Sequence, residues 1–167
     1  MQAVLNAGIL FVSAAIGLAG QAVAEDGCRQ FAWSVERERE WFGDGFTATV
    51  ESESALPKDG VFTLLLQPIS KVIYRVPPER GRDDGLGGVV TLEWVSAGRY
   101  QVTLSADAWI DAVQYDRRLP ILASTRRWDC PGIRSSVQFE IADSSALTLQ
   151  FGGASVRRLN IAVRRTR

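Results

Sequence analysis

The sequence predicts an all-β fold: an antiparallel β-sandwich of jelly-roll type, with about nine strands and a short N-terminal helix. Three observations carry that expectation. From Phe46 onward, apolar residues recur at every second position, the period of a strand with one buried face. Clusters rich in Gly, Pro, Asp and Ser break the pattern at short intervals, as turns do. No helix-periodic stretch lies between the runs to carry the chain back across a sheet, which argues against parallel βαβ units.

Residues 3–19, AVLNAGILFVSAAIGLA, are uncharged and mostly apolar, and Ala22-Val23-Ala24 follows as an A-x-A cleavage signal. Residues 1–24 are therefore expected to be a signal peptide, cut after Ala24, that sends the protein to the periplasm or outside the cell. The alternative is an uncleaved anchor, but the run is short of the roughly 20 apolar residues a span needs, and Asn6 and Ser13 interrupt it. Cleavage would leave no stable membrane anchor. Cys28 does not suit lipidation, because Glu25-Asp26-Gly27 precede it where small and apolar residues are needed. The remaining chain, roughly 140 residues, suits one domain.

Residues 25–43 read as an N-terminal docking segment. Ser34 is placed to cap a short helix and Gly43 to end it. Between them, Glu36–Arg39 and Arg37–Glu40 are i,i+3 ion pairs. The alternation of VEREREWF would also suit a strand; the early acids and the caps favour the helix. Phe31, Trp33 and Phe42 are the residues to fasten it.

The sandwich is expected over 44–167. Its strands are FTATV (46–50), VFTLLLQPI (61–69), KVIYRV (71–76), GGVVTLEWV (87–95), RYQVTLS (99–105), DAWIDAVQYD (107–116), SVQFEI (136–141), ALTLQF (146–151) and LNIAV (159–163). In RYQVTLS, Tyr100, Val102 and Leu104 face one way and Gln101 and Thr103 the other. Val90, Leu92 and Trp94 are expected to share a face. The 107–116 run is apolar on both faces, as a central strand is. It places Asp111 beside Trp109 and Val113, where a carboxylate needs donors; a structural anchor is the favoured role and a site residue the alternative. The 79–88 loop offers Asp83 and Asp84 but lacks the ligand spacing of a calcium loop, so it reads as an inter-strand connection.

Composition removes much chemistry. With no histidine there is no Ser-His-Asp triad, no Cys-His dyad and no histidine-held zinc or iron. No phosphate-binding glycine loop occurs. Formal net charge is zero, which gives no general affinity for nucleic acid. No cofactor is expected. The two cysteines, Cys28 and Cys130, are expected to pair in an oxidising compartment. They would close a loop of about 100 residues, worth up to about 4.7 kcal/mol in the chain-entropy picture.

Charge is uneven: residues 25–60 carry net −5 and residues 119–167 net +5. The stretch RRWDCPGIR (126–134) holds Trp128, a flat stacking surface, with Arg126, Arg127 and Arg134, planar donors suited to carboxylates. It is the expected address of any ligand site, for an acidic saccharide or an acidic protein surface. The alternative is that Trp128 covers the disulfide and the arginines neutralise the acidic N-terminal segment.

The pattern AGRYQVTLSADAWIDAVQ, DCPGIRSSVQFEI, LTLQFGG and LNIAV, with CRQFAW, PPER and GGVV earlier, resembles a group of small exported proteins of Gram-negative bacteria, across most of the mature chain. AWIDAV and CPGIR are its most specific parts. Members commonly bear the label homogentisate 1,2-dioxygenase, which implies an iron enzyme with histidine ligands. This chain has no histidine, so no catalytic residue carries over and the label is judged incorrect. The Gly-Tyr strand, AWID and the final hairpin also look like β-sandwich modules appended to secreted peptidases, a likeness of fold only.

The expected function is an exported, non-catalytic binding or accessory module of the cell envelope. Two alternatives stand beside it. One is a glycan hydrolase using carboxylates alone, drawn from Glu93, Asp107, Asp111 and Asp116, which would need two carboxyls about 5–9.5 Å apart. The other is a purely structural envelope protein.

Overall fold

Two mixed sheets sandwich one apolar core in the computed structural model, which describes residues 27–45, 47–79 and 84–166. The first sheet runs in the order β1 (Ala48–Glu51), β3 (Gly60–Leu65), β12 (Arg158–Arg165), β6 (Gly98–Leu104), β10 (Ser135–Ile141), β9 (Ile121–Arg126). The second runs β2 (Ser54–Leu56), β5 (Leu86–Val95), β11 (Ser145–Ala154), β7 (Trp109–Gln114), β8 (Arg117–Arg118), and β4 (Gln67–Pro68) also pairs with β5. These are twelve strands among the described residues, against about nine expected; β2, β4 and β8 have three residues or fewer. The core is built as the period-two pattern requires. Leu64, Val102, Phe139 and Ile161 come from one sheet, Leu92, Ala112, Leu149 and Phe151 from the other, and all are essentially inaccessible.

Not every pair is antiparallel, as the sequence had suggested. β1 runs parallel to β3, and β2 parallel to β5. Residues 48–56 form nearly continuous extended chain that leaves the edge of one sheet and joins the edge of the other at Ser52-Glu53. Glu53 N–H bonds Val89 O at 2.7 Å and Val89 N–H bonds Ser52 Oγ at 3.0 Å, which fixes the crossing. No tight hairpin links either pair, so nothing forces the antiparallel direction.

Three local expectations need correction. Trp94 does not share the core face of Val90 and Leu92. Ser145 pairs with Val95 but Leu147 with Leu92, so β5 carries one extra residue, and this bulge turns both Glu93 and Trp94 outward. KVIYRV forms no strand: after a 3-10 turn at Ile69–Lys71, residues 72–79 cross the outer face of the second sheet as an irregular strap. Gln150 holds the strap through both its amide groups, accepting from Val76 N–H at 3.0 Å and donating to Val76 O at 3.1 Å. Tyr74 donates to Phe151 O at 3.0 Å. The strap is why 107–116 is apolar on both faces although β7 lies next to the short edge strand β8. Finally, ILASTR (121–126) is a strand, β9, on the edge beside β10.

The N-terminal segment docks on the outer face of the first sheet. Its helix, α1 (Glu36–Gly43), begins after Val35. Ser34 lies one residue outside the cap position and accepts from Glu36 N–H at 3.4 Å, and Gly45 rather than Gly43 has left-handed backbone at φ 68°. Phe31, Val35 and Ile133 form a second small core around the Cys28–Cys130 pair. Beneath the helix the contacts are polar. Glu38, fully buried, accepts from Gln101 Nε2 at 2.8 Å and pairs with Arg164. Trp33 Nε1 donates to Ser136 Oγ at 3.0 Å, and Ser136 shares a hydrogen bond with Thr103. Both faces of RYQVTLS are therefore buried, the apolar one in the sandwich core and the polar one under this segment.

Candidate functional site

The loop after β9 is fixed at its base and its tip. At the base, Arg127 N–H bonds Arg134 O at 3.0 Å, and Arg134 Nη1 donates to Arg127 O at 3.3 Å. At the tip, Cys130 is bonded to Cys28, 102 residues earlier, and Ile133 N–H bonds Cys130 O. Gly27 lies so close to the Asp129 carboxyl that a Cβ there would collide with it.

Four loop residues were expected to form the site, and three of them come together. Trp128 does not cover the disulfide; it stands 69% exposed. The Arg134 guanidinium lies 4.7 Å from its ring centroid and that of Arg126 5.8 Å. Asp107 anchors both cations, 3.5 Å from Arg126 Nε and 3.8 Å from Arg134 Nε. Arg127 turns the other way: its Nε and Nη2 both donate to Gln30 O, at 3.0 and 2.7 Å, and tie the loop to the N-terminal segment. Arg127 thus belongs to the scaffold, and Arg126, Trp128 and Arg134 form a cationic rim.

Behind the rim lies a cavity of about 530 Å³ between the sheets. Its origin is topological. β8 pairs only with Val113 and Gln114 of β7, so Trp109–Asp111 have no strand beside them on that side among the described residues. On the facing sheet, Ser135 pairs with Arg126 and Val137 with Ser124, which places Arg126 and Ser124 on the inward face of β9. Ile110, Ile121 and Val137 give the cavity apolar walls, and Trp109 borders its edge, with its ring packed on Gly152 and against Tyr74 of the strap on the outer face of the second sheet. A Cβ at Gly152 would overlap the indole, so this glycine is needed for close approach.

Among the described residues, five buried side-chain polar atoms lack a hydrogen-bond partner, and three of them, Asp107 Oδ1, Trp109 Nε1 and Ser135 Oγ, belong to residues that border this cavity, though the atoms themselves are packed out of reach of a water-sized molecule. Asp107 Oδ1 is close enough to Arg126 for ion pairing without an aligned hydrogen bond. Such atoms are rare in folded proteins because each costs about 1–3 kcal/mol unsatisfied. Sequence reading overlooked Trp109 and Ser135. The available signal was Gly152-Gly153, which reads as a turn but lies inside β11 where an aromatic ring packs on it.

The other candidate residues are dispersed. Asp111 is 7% exposed, on the outer face of the second sheet under the strap, with its Oδ2 3.0 Å from Arg118 Nε. Arg118 also meets Glu79 and Pro77 O, both on the strap. Asp116 pairs with Arg75 at the β7–β8 turn, and Glu93 is exposed on the bulge. Asp84 is exposed, and Asp83 lies outside the described residues. A second, broader groove of about 730 Å³ runs along the strap on the outer face of the second sheet. Its rim holds Glu53, Tyr115 and Asp116, the non-glycine residues with left-handed backbone among those described, but none of the unpartnered buried atoms. No protein-family model, no curated protein and no solved structure matches this chain.

Proposed function

We propose that this chain is an exported, non-catalytic β-sandwich that serves the cell envelope as a binding or accessory module, and that it takes an acidic saccharide at the Trp128 loop. The observation that carries this is the exposed Trp128 ring beside two guanidiniums, in a loop pinned to the N-terminal segment by a crosslink. An aromatic face offers stacking to a sugar ring, and fixed guanidiniums favour a carboxylate on it.

The jelly-roll reading is supported by the order β3-β12-β6-β10 opposite β5-β11-β7-β8, with the chain changing sheets at most connections. Export is supported by the disulfide. Among the described residues no helix is long and apolar enough to cross a membrane; the expected signal peptide, 1–24, lies outside them. A carboxylate-pair hydrolase is disfavoured, because Asp107, Asp111 and Asp116 are each held by different arginines in different places. Homogentisate dioxygenase activity is disfavoured by the lack of histidine; stoichiometric iron with oxygen uptake on homogentisate would overturn that.

The test is retention from an envelope extract by the mature protein and by a folded Arg126→Ala, Trp128→Ala variant. An acidic polymer held by the first and lost by the second is expected. An acidic protein in its place would move the assignment to a protein partner. Equal retention by both proteins would remove the loop from the site.

A further inference from the structure

We infer that Asp107 sets the charge selectivity of the Trp128 rim, fitting it to saccharides with a single carboxylate per ring and against multiply sulfated or phosphorylated ones. The inference rests on the acidic-saccharide reading of the loop and adds which acidic class the loop takes. Its basis is one carboxylate set against both cations of the rim, 3.5 Å from Arg126 Nε and 3.8 Å from Arg134 Nε.

Backbone pairing brings the three residues together from separate elements. Arg126 ends β9, Asp107 lies in the connection between β6 and β7, and Arg134 precedes β10. Ser135 pairs with both Arg126 and Leu104, and Arg134 N–H bonds Leu104 O at 2.8 Å, so the end of β9 and the exit of β6 flank the start of β10. Asp107 approaches each guanidinium at its Nε. Arg134 Nη1 is used by Arg127 O. Among the described residues, Arg126 Nη1 and Nη2 and Arg134 Nη2 make no hydrogen bond to the protein. These terminal nitrogens are the donors left for a ligand, beside the Trp128 ring.

The neighbouring charges are directed elsewhere. Arg127 is turned to Gln30 O, and the Asp129 carboxyl lies against Gly27. Two guanidiniums and one carboxylate leave the rim with a net charge of +1. A uronate ring carries one negative charge and neutralises it. A phosphate monoester carries about −1.5 to −2, and a ring with more than one sulfate has a similar surplus. That surplus faces Asp107 across a single guanidinium, within the roughly 8 Å over which charges interact at physiological salt. At such a separation one extra charge changes binding by about tenfold.

The experiment titrates the whole mature protein, at physiological salt, with trigalacturonate and with a sulfated maltotriose bearing more than one charge per ring. Asp107→Asn removes the charge and keeps the shape, and Asp107→Glu keeps the charge. The wild type is expected to bind trigalacturonate more tightly than the sulfated ligand. Asp107→Asn should move the ratio of the two dissociation constants about tenfold toward the sulfated ligand, and Asp107→Glu should hold the wild-type ratio. A residue that only positions the arginines would weaken both ligands alike. An unchanged ratio in Asp107→Asn would therefore overturn the inference, as would a wild type that prefers the sulfated ligand; either result leaves the saccharide reading standing. Wild-type protein that binds neither ligand would overturn both.

Discussion

Asp111→Ala removes the carboxylate that meets Arg118 beneath the strap, and its cost follows from what is left behind. Stripping one partner from a fully buried ion pair costs about 3–5 kcal/mol, whereas an exposed pair is worth about 0.2–1 kcal/mol. This pair lies between those limits: the Asp111 side chain is 8% exposed and that of Arg118 19%. Arg118 would keep Glu79 and Pro77 O as partners. A loss of about 2–3 kcal/mol is therefore expected, which for a domain of this size lowers the melting temperature by roughly 6–12 °C. Thermal and urea unfolding measure it. A second readout is the Tyr74 phenol, whose pKa is pushed up to about 12 by burial first and by the negative charge of Asp111 second. The substitution should lower that pKa while burial keeps it above the ordinary value of 10.0, as followed by tyrosinate absorbance. Unchanged melting together with lost ligand binding would refute the anchoring role and move Asp111 into the site.

Three further outcomes are expected. Unreduced protein should show no alkylatable thiol by intact mass, and Cys28→Ala with Cys130→Ala should lose up to about 4.7 kcal/mol, the loop-closure figure for a span near 100 residues; two free thiols would contradict the pairing. Tyr115 and Asp116 form the two-residue turn of the β7–β8 hairpin with φ of 50° and 57°, where Asn-Gly is preferred, so Tyr115→Asn with Asp116→Gly should stabilise the fold by about 1 kcal/mol; a lower melting temperature would count against strain at this turn. Because the folded Tyr74 pKa, about 12, exceeds its ordinary 10.0, the contribution of Tyr74 to stability should be constant below pH 10 and be lost as pH rises from 10 to 12. Tyr100, also raised chiefly by burial, acts in the same direction, so Tyr74→Phe should reduce the alkaline loss without abolishing it; identical urea midpoints for both proteins across that window would contradict the assignment.

Much of the fold was legible in the sequence because alternation reports burial directly. RYQVTLS, SVQFEI and LNIAV lie in strands with their apolar residues in the core. The errors fall where burial came from something other than sheet packing. KVIYRV is apolar because it covers a sheet rather than joining one, and the donors and acceptors that hold it, Gln150 and Phe151 O, lie more than seventy residues away. The Trp94 bulge depends on pairing with Ser145 and Leu147, which no local pattern specifies. β9 was overlooked because edge strands show weak alternation, and its exposure alternates only between partial and full. At the site, the disulfide and the Trp128 rim followed from composition and compartment. The cavity did not, since it arises from the shortness of β8 and the facing register of β9 and β10. Arg127 and Arg126 are adjacent in sequence and point to opposite faces, and only the register of β9 against β10 separates their roles.

The most direct measurement is isothermal titration of the mature protein with a short oligogalacturonate, beside a neutral oligosaccharide of equal length, for the wild type and for Trp128→Ala. Trp128 is 69% exposed, so its removal should leave the melting temperature close to that of the wild type. The wild type is expected to bind the acidic oligomer in preference to the neutral one, and Trp128→Ala to bind it about tenfold more weakly, the worth of one stacked ring. Wild-type protein that binds neither oligomer, or a variant with wild-type affinity, would contradict a ligand site at this loop.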